Sequence, residues 1–361
     1  MAYLKSVELQ NFRRHNNIQL EFSPYGNILL GPNGCGKTTI VEAVSFLALT
    51  KSFRTKKDAE VKKFDAGYFR VHGVFQNEES QEEITVFYKK GETRNVFSGK
   101  KKISKIIDYI GRYPVVITTL EDIAVVSGAP VNRRRFLDRM IGQSDARYLQ
   151  SLKEYQKILH NRNKLLKDVR TDVEHIMVWT EQMSPLAEEI QTSRRQAIQQ
   201  LETRVASMYK ESGVGAELNI RYKSTASETS TLKSFKQSLR RDIKYGFTTI
   251  GPHADDVQFF TNGQPVRTYS SQGEQKLFLL LLKIAEGSLI KDWSGKQPIH
   301  IFDDMFASLD KKKANFVLDL LGKESQKIIT TTDMSSISNN KKRTKTIRIE
   351  DYLKGEIVAV A

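Results

Sequence analysis

The chain has 361 residues, with 57 lysines and arginines against 42 aspartates and glutamates, a net charge of +15. A hydrophobic content of 39% and an aromatic content of 9% support a folded core and exclude wholesale disorder. Cys35 is the single cysteine, which excludes an internal disulfide and a cysteine-based zinc site. No apolar run approaches the roughly 18 residues of a membrane helix, and the first residues, MAYLKSVELQNF, lack the apolar core of a signal peptide. These features predict a soluble intracellular protein. The positive excess calls for an anionic partner, and charge alone does not choose between nucleic acid and a membrane surface.

Leu4, Val7, Leu9 and Phe12, then Ile18, Leu20 and Phe22, predict two strands. A short buried strand, Asn27-Ile28-Leu29-Leu30, leads into GPNGCGKTT, and IVEAVSFLAL predicts a helix from Ile40 to Leu49. Strand character returns at Tyr68–Phe75, Ile84–Tyr88 and Tyr113–Ile117. From Tyr148 the period changes. Tyr148, Leu152, Tyr155, Leu159, Arg162 and Leu166 form one heptad seam. Trp179, Met183, Leu186, Ile190, Ser193 and Ala197 form a second. The polar break between them predicts an antiparallel hairpin. Pro185 either kinks the second helix or opens it. Residues 209–231 read as a return linker with a strand from Ala216 to Tyr222, and the segment Thr346–Val360 as an edge strand.

Gly31, Pro32, Asn33, Gly34, Cys35, Gly36, Lys37, Thr38 and Thr39 carry the pattern G-x-x-x-x-G-K-[ST] between a strand and a helix. Glycines let backbone N–H groups turn inward on phosphate, and the helix start adds its positive end. Lys37 is expected to reach the β- and γ-phosphates of ATP, and Thr38 to ligate Mg²⁺. Cys35 occupies a variable position.

The matching acids lie far downstream. The apolar strand Ile299-His300-Ile301-Phe302 ends in Asp303 and Asp304. Asp303 is the candidate Mg²⁺ residue and Asp304 the candidate base for the attacking water. So wide a separation predicts one ATPase head split by an insertion. Ahead of the acids, Ser271, Gln272 and Gly273 open an amphipathic helix. By itself this is an ordinary serine cap. Beside a split head it is similar to the signature motif of ABC-type ATPases, in which one subunit's signature covers the γ-phosphate of the other and a two-fold dimer shares two ATPs. Ser308-Leu309-Asp310 fits a D-loop, and Ile329–Asp333 the switch position. A transporter ATPase is disfavoured, because SSQGE stands where LSGGQ is expected.

At this point the chain resembles the RecF family of bacterial recombination-repair ATPases, which are related to SMC-type heads. The resemblance rests on LKSVELQNFRRH, GPNGCGKTTIVEAVSFLALTKSFRT, GAPVNRRRFLDRMI, YLQSLKEYQKILHNRNKLLK, GPHADD, YSSQGEQK, FDDMFASLD and ITTTD, in family order over nearly the whole chain. It implies an α/β ABC-type head (lobe I) split by a helical lobe II. The expected boundaries are 1–135 and 246–361 for lobe I and 136–245 for lobe II. It also implies an ATP-dependent homodimer, slow DNA-stimulated hydrolysis, binding to duplex DNA and gapped junctions, and a cytoplasmic, nucleoid-associated protein with no membrane partner. With RecO and RecR, the family helps RecA load on SSB-coated single strands. Carried onto this chain, the catalytic positions are Lys37, Asp304 and Ser271, the last acting in trans. An alternative is another SMC-like ATPase that binds ATP as a scaffold without significant turnover. Two positions depart from the family pattern: Ala254 replaces an arginine in GPHADD, and Lys276 replaces the signature arginine.

A clamp for DNA needs basic side chains to meet phosphates. The candidates are Lys51, Arg54, Lys56 and Lys57 after the phosphate-loop helix, and Arg162 on the hairpin. In the run Arg133-Arg134-Arg135 a structural role is expected, at least for Arg135. No basic stripe interleaved with aromatics is evident, which favours recognition of a duplex backbone, without sequence preference, over stacking on single-stranded bases.

Overall fold

The structure, a computed structural model, describes residues 1–168, 172–213, 217–227, 230–306, 309–322, 324–334 and 343–353. The chain forms two compact units: residues 1–122 with 280 onward, and residues 123–279.

The first stretch contains β1 (Tyr3–Phe12), β2 (His15–Glu21), β3 (Gly26–Leu30), α1 (Lys37–Leu49), β4 (Tyr68–Gln76), β5 (Gln81–Lys89), β6 (Asn95–Ser98), β7 (Lys101–Lys102), α2 (Ile106–Tyr109) and β8 (Val115–Thr119). The second unit follows with α3 (Ile123–Ser127), α4 (Pro130–Gly142), α5 (Ala146–Lys167), α6 (Val173–Glu211), β9 (Leu218–Lys223), α7 (Thr231–Tyr245), β10 (Asp256–Thr261), β11 (Gln264–Pro265) and α8 (Val266–Tyr269). Helix α9 (Gln272–Ser294) begins in that unit and ends in the first. The first unit then finishes with β12 (Ile299–Asp303), α10 (Lys311–Leu320), β13 (Lys327–Thr331), β14 (Thr344–Arg348) and α11 (Ile349–Leu353).

Two sheets build the first unit. One is antiparallel, in the order β2-β1-β4-β5-β6-β7; the other is parallel, in the order β14-β3-β13-β12-β8. Helix α1 touches strands of both sheets, and every residue from Thr39 to Leu49 is buried. An all-round apolar helix such as IVEAVSFLAL needs cover on both sides. Phe12, Phe46 and Phe69 meet edge to face at 5.5–5.6 Å and lock α1 onto the antiparallel sheet. The parallel sheet places the ends of β3, β12 and β13 side by side, where doubly wound sheets bind ligands. The expected edge strand at the C-terminal side is β14, which is shorter than foreseen and gives way to α11. Val360 lies outside the described residues.

In the second unit α5 and α6 form the expected hairpin. Asp145 caps α5 by accepting from the Arg147 and Tyr148 N–H groups, and Asp172 caps α6. Helix α6 runs through Pro185, whose ring lies on the exposed face. The buried stripe of α6 is Ile176, Thr180, Met183, Ala187, Ile190, Arg194 and Ala197. It therefore sits one residue C-terminal of the expected Trp179, Leu186 and Ser193. The α6 stripe is wide enough to admit polar residues that find partners: Arg194 pairs with Asp138 at 2.7 Å and donates to the Pro252 carbonyl at 2.6 Å.

The sequence-based boundaries at 135/136 and 245/246 do not coincide with those of the compact units. Helix α4 packs on β10, α5 and α6. Arg133 forks onto Asp256 at 2.8 and 3.2 Å, and Arg134 donates to the Asp255 carbonyl at 2.7 Å. These bonds tie both RRR and GPHADD to the helical unit. Arg133 and Arg134 thus hold the structural role, whereas Arg135 is exposed, contrary to expectation. No described helix is long and apolar enough to cross a membrane.

Candidate nucleotide site

Strand β3 delivers the chain to Gly31, and the loop turns twice through positive φ, at Gly34 (79°) and Gly36 (106°). Gly36 is also the N-cap of α1. It offers no side chain to the helix, and the first turn of α1 carries no acid. The leading N–H groups of a 13-residue helix are thereby left to an outside anion. Lys37 is buried, and its Nζ donates to the carbonyls of Gly31 at 2.8 Å and Pro32 at 3.0 Å, across the mouth of the loop. Cys35 is buried, and its N–H donates to the Pro32 carbonyl at 3.3 Å, so the cysteine serves the turn.

Opposite the loop, β12 ends at Asp303. One oxygen of that carboxylate accepts from Thr38 Oγ1 at 3.1 Å and from Thr330 Oγ1 at 2.7 Å. Residues 38, 303 and 330 come from α1, β12 and β13, which the sheet order makes neighbours. Burial raises the Asp303 pKa above the ordinary carboxylate value. The bonds from Thr330 and Thr38 oppose the rise, and Asp304 adds to it. A dication here relieves the desolvation, and Mg²⁺ typically takes only one or two protein oxygens besides phosphate and water. The Thr38–Asp303 pair fits that requirement. Among the described residues no cluster of three or more His, Cys, Asp or Glu could hold a metal.

Asp304 has φ of 52°, and its N–H donates to Thr330 Oγ1 at 3.0 Å. Its Oδ1 is buried and finds no hydrogen-bond partner among the described residues. A lone carboxylate oxygen held beside the metal pair is placed to accept a proton from water. Thr330, foreseen only as part of the switch strand, anchors both acids.

Two contributors escaped sequence reasoning. The β1–β2 turn lies against the loop: a Cβ on Gly36 would collide with the His15 ring and stand 3.2 Å from Arg14 Cδ. Arg14 is exposed there, a cation beside the phosphate loop. Below it, Glu42 of α1 is fully buried and receives a fork from Arg13 (2.9 and 2.6 Å), with Arg54 at 3.5 Å and a hydrogen bond from Ser52. The motif NFRRH carried the signal, but its partner Glu42 could not be read from spacing.

Ser271 stands before α9 in the second unit. Its N–H and hydroxyl donate to Glu274 Oε2 at 2.8 and 3.0 Å, and the Glu274 N–H returns to Ser271 Oγ at 3.3 Å. This reciprocal cap fixes the helix start and leaves Ser271, Gln272 and Gly273 exposed. Lys276 is half-buried, and burial lowers its pKa. Of the D-loop candidates, Ser308 lies outside the described residues. Leu309 is buried, and Asp310 caps α10 through the Lys313 N–H at 2.9 Å.

Lys51, Lys56 and Lys57 are exposed, with Lys57 paired to Glu60 at 3.3 Å, while Arg54 is drawn toward Glu42. Arg162 is a correction. It is wholly buried, pairs with Asp242 at 2.9 Å and donates to Thr180 at 2.9 Å and Thr248 at 2.6 Å, so it is closed to DNA phosphate.

Comparison with known proteins agrees with this geometry. Residues 3–354 match the family model of the RecF/RecN/SMC N terminal domain. The DNA replication and repair protein RecF of Lachnoclostridium phytofermentans is 34% identical over 359 residues, covering 98% of this chain and 99% of that one. The chain belongs to the RecF family. The RecF of Listeria monocytogenes is 36% identical over 352 residues, covering 93% of this chain and 95% of its own. The recombination mediator protein RecF of the RecFOR pathway, solved with ATP, superposes with a TM-score of 0.87 at 28% identity, covering 96% of this chain and 98% of the other. The Smc head domain of Pyrococcus furiosus, at 16% identity and a TM-score of 0.57, shares the fold alone. As a RecF-family member the protein is an ATPase of the SMC/ABC type, with an α/β head and a helical insertion.

Proposed function

We propose that this RecF-family ATPase is an ATP-driven DNA clamp of recombinational repair. Two copies close on ATP, grip duplex DNA beside a single-strand gap, and act with RecO and RecR to help RecA load on SSB-coated DNA. The observation that carries the ATP-driven part is the end of β12: Asp303 bonded to Thr38, and beside it Asp304, whose buried Oδ1 finds no hydrogen-bond partner among the described residues.

Gly31, Pro32, Asn33, Gly34, Cys35, Gly36, Lys37, Thr38 and Thr39 would wrap the phosphates of ATP. Lys37 would exchange its two carbonyl partners for β- and γ-phosphate oxygens. Mg²⁺ on Thr38 and Asp303 would neutralise charge on those oxygens. Asp304 orients the attacking water and takes its proton, and as an aspartate it holds that water less closely than a glutamate would, which suits slow turnover. The exposed Ser271, Gln272 and Gly273 of a second copy are the surface suited to cover the γ-phosphate. Arg14 joins the phosphate-binding set from the β1–β2 turn. Lys51, Lys56 and Lys57, outward-facing after α1, are the duplex contacts, with affinity falling steeply as salt rises.

The test is molecular size with and without ATP, on duplex and on gapped DNA. ATP should shift the protein from monomer to dimer and raise its affinity for duplex. A chain that stays monomeric in every condition refutes the clamp.

A further inference from the structure

Residues 240–247, Arg-Arg-Asp-Ile-Lys-Tyr-Gly-Phe, have no part in the nucleotide site, yet they build an unusual surface at the end of α7. Gly246 closes the helix at φ of 72°, its N–H donating to the Asp242 carbonyl at 2.8 Å. That left-handed turn, natural to glycine, lays Phe247 beside Tyr245, with ring centroids 6.0 Å apart and planes 31° apart. Both rings face water, at 58% and 50% exposure.

The same helix and the end of α5 carry exposed basic side chains. Arg240, Arg241 and Lys244 are exposed on α7, with Arg241 one turn before Tyr245 on the same face. From the last turn of α5 come the exposed Lys164 and Lys167, and a Cβ on Gly246 would stand 3.7 Å from Lys167 Cγ. Arg241 donates to Thr249 Oγ1 at 2.9 Å and lines a cavity of about 390 Å³ with Ser227, Ser234, Gln237 and Ser238. The one acid within the run, Asp242, is buried and consumed by Arg162, Ser238 and Thr249. Exposed Asp168 follows Lys167 as the end of α5. The buried network beneath holds the platform rigid: Asn163 Oδ1 accepts from both the Thr248 N–H (2.9 Å) and hydroxyl (2.7 Å).

Flat exposed rings, a cationic rim and a hydroxyl-lined hollow match one ligand chemistry. Duplex bases are stacked on each other and hide their faces, whereas single strands offer them, with phosphates beside each base. We propose that this surface binds single-stranded DNA. Bases stack on Tyr245 and Phe247, while the backbone runs past Lys167, Lys244 and Arg241, with a phosphate at the mouth of the hollow. The site deepens the DNA-binding reading above, because a strand bound here is the one a gap exposes. It needs neither ATP nor the exposed lysines after α1.

The experiment is fluorescence anisotropy of a labelled oligothymidylate without ATP, at low and moderate salt. Two double variants are compared with the parent: Tyr245→Ala with Phe247→Ala, and Arg241→Gln with Lys244→Gln. The aromatic pair should weaken binding about tenfold or more with its salt slope kept, since each stacked base contributes roughly 1–3 kcal/mol. The basic pair should weaken binding and flatten the slope. Exchanging the rings, Tyr245→Phe with Phe247→Tyr, should restore it. ATP hydrolysis and duplex affinity are measured on the same preparations and should be unchanged, which separates this site from the clamp. Parent-like oligothymidylate binding by the aromatic variant overturns the proposal. So does a parent that does not bind the strand, or a surface that instead captures only a protein or anionic vesicles.

Discussion

Replacing Arg162 by methionine distinguishes a structural arginine from a DNA contact. The side chain is entirely buried and pairs with an equally buried Asp242. Removing one member of such a pair typically costs about 3–5 kcal/mol, because the other is left charged in a dry interior. Asp242 retains donors from Ser238 (3.2 Å) and from Thr249, through its N–H (2.9 Å) and hydroxyl (2.6 Å). The expected loss therefore lies at the low end, about 3 kcal/mol. For a unit of this size, each kcal/mol moves Tm by about 2–4 °C, so the transition of the helical unit should fall by roughly 6–12 °C. Adding Asp242→Leu should recover part of that loss, since an apolar replacement of both partners removes the stranded charge. Thermal unfolding read by circular dichroism checks the shift, with duplex binding measured well below the transition. A variant with parental Tm and weakened DNA binding would refute the argument and return Arg162 to the DNA surface.

Asp304→Asn should slow ATP turnover by about a hundredfold or more while ATP-dependent dimers accumulate, as judged by phosphate release and size exclusion. Equal turnover in parent and variant removes Asp304 from the chemistry. Gly36→Ala should abolish ATP binding in a nucleotide-fluorescence assay, because φ of 106° and the His15 ring both exclude a Cβ. His300 is buried beside Phe302, and burial holds its pKa down at about 3. Its unfolded value is near 6.5, so below that pH the unfolded chain binds a proton the folded one refuses. Stability should fall by about 1.4 kcal/mol per pH unit from about 6.5 toward 3, and His300→Gln should flatten that limb in urea titrations.

Much of the nucleotide site was legible because its chemistry is local. Gly36, Lys37 and Thr38 act through backbone turns and a helix start that the motif itself specifies, and Asp303 closes an apolar strand. The α5–α6 hairpin followed from heptad spacing. What spacing cannot carry is a partner distant in the chain. Arg162 looked like a surface cation because Asp242 lies a whole connection away, and the run at 133–135 divided by helix rotation into two anchors and one exposed residue. The unit boundaries were hidden for the same reason, since Asp255 and Asp256 join the helical unit through bonds to α4. The residues RRDIKYGF were overlooked because an aromatic in a helix usually faces the core; Tyr245 instead ends α7 on its exposed face, and the turn at Gly246 sets Phe247 beside it.

Strand β3, which carries the phosphate loop, has as its two neighbours β13 and β14, both drawn from beyond residue 320. A ribosome making about 5–20 residues per second needs roughly 15–60 s to travel from Thr38 to the end of β13. During that interval the antiparallel sheet and the contiguous helical unit can assemble, but the loop has no sheet to stand on and no Asp303 to face. The enzyme is thus silent while it is being made. A truncated product ending before β13 would carry an intact phosphate-loop motif yet lack the sheet that holds it, and should not compete for nucleotide.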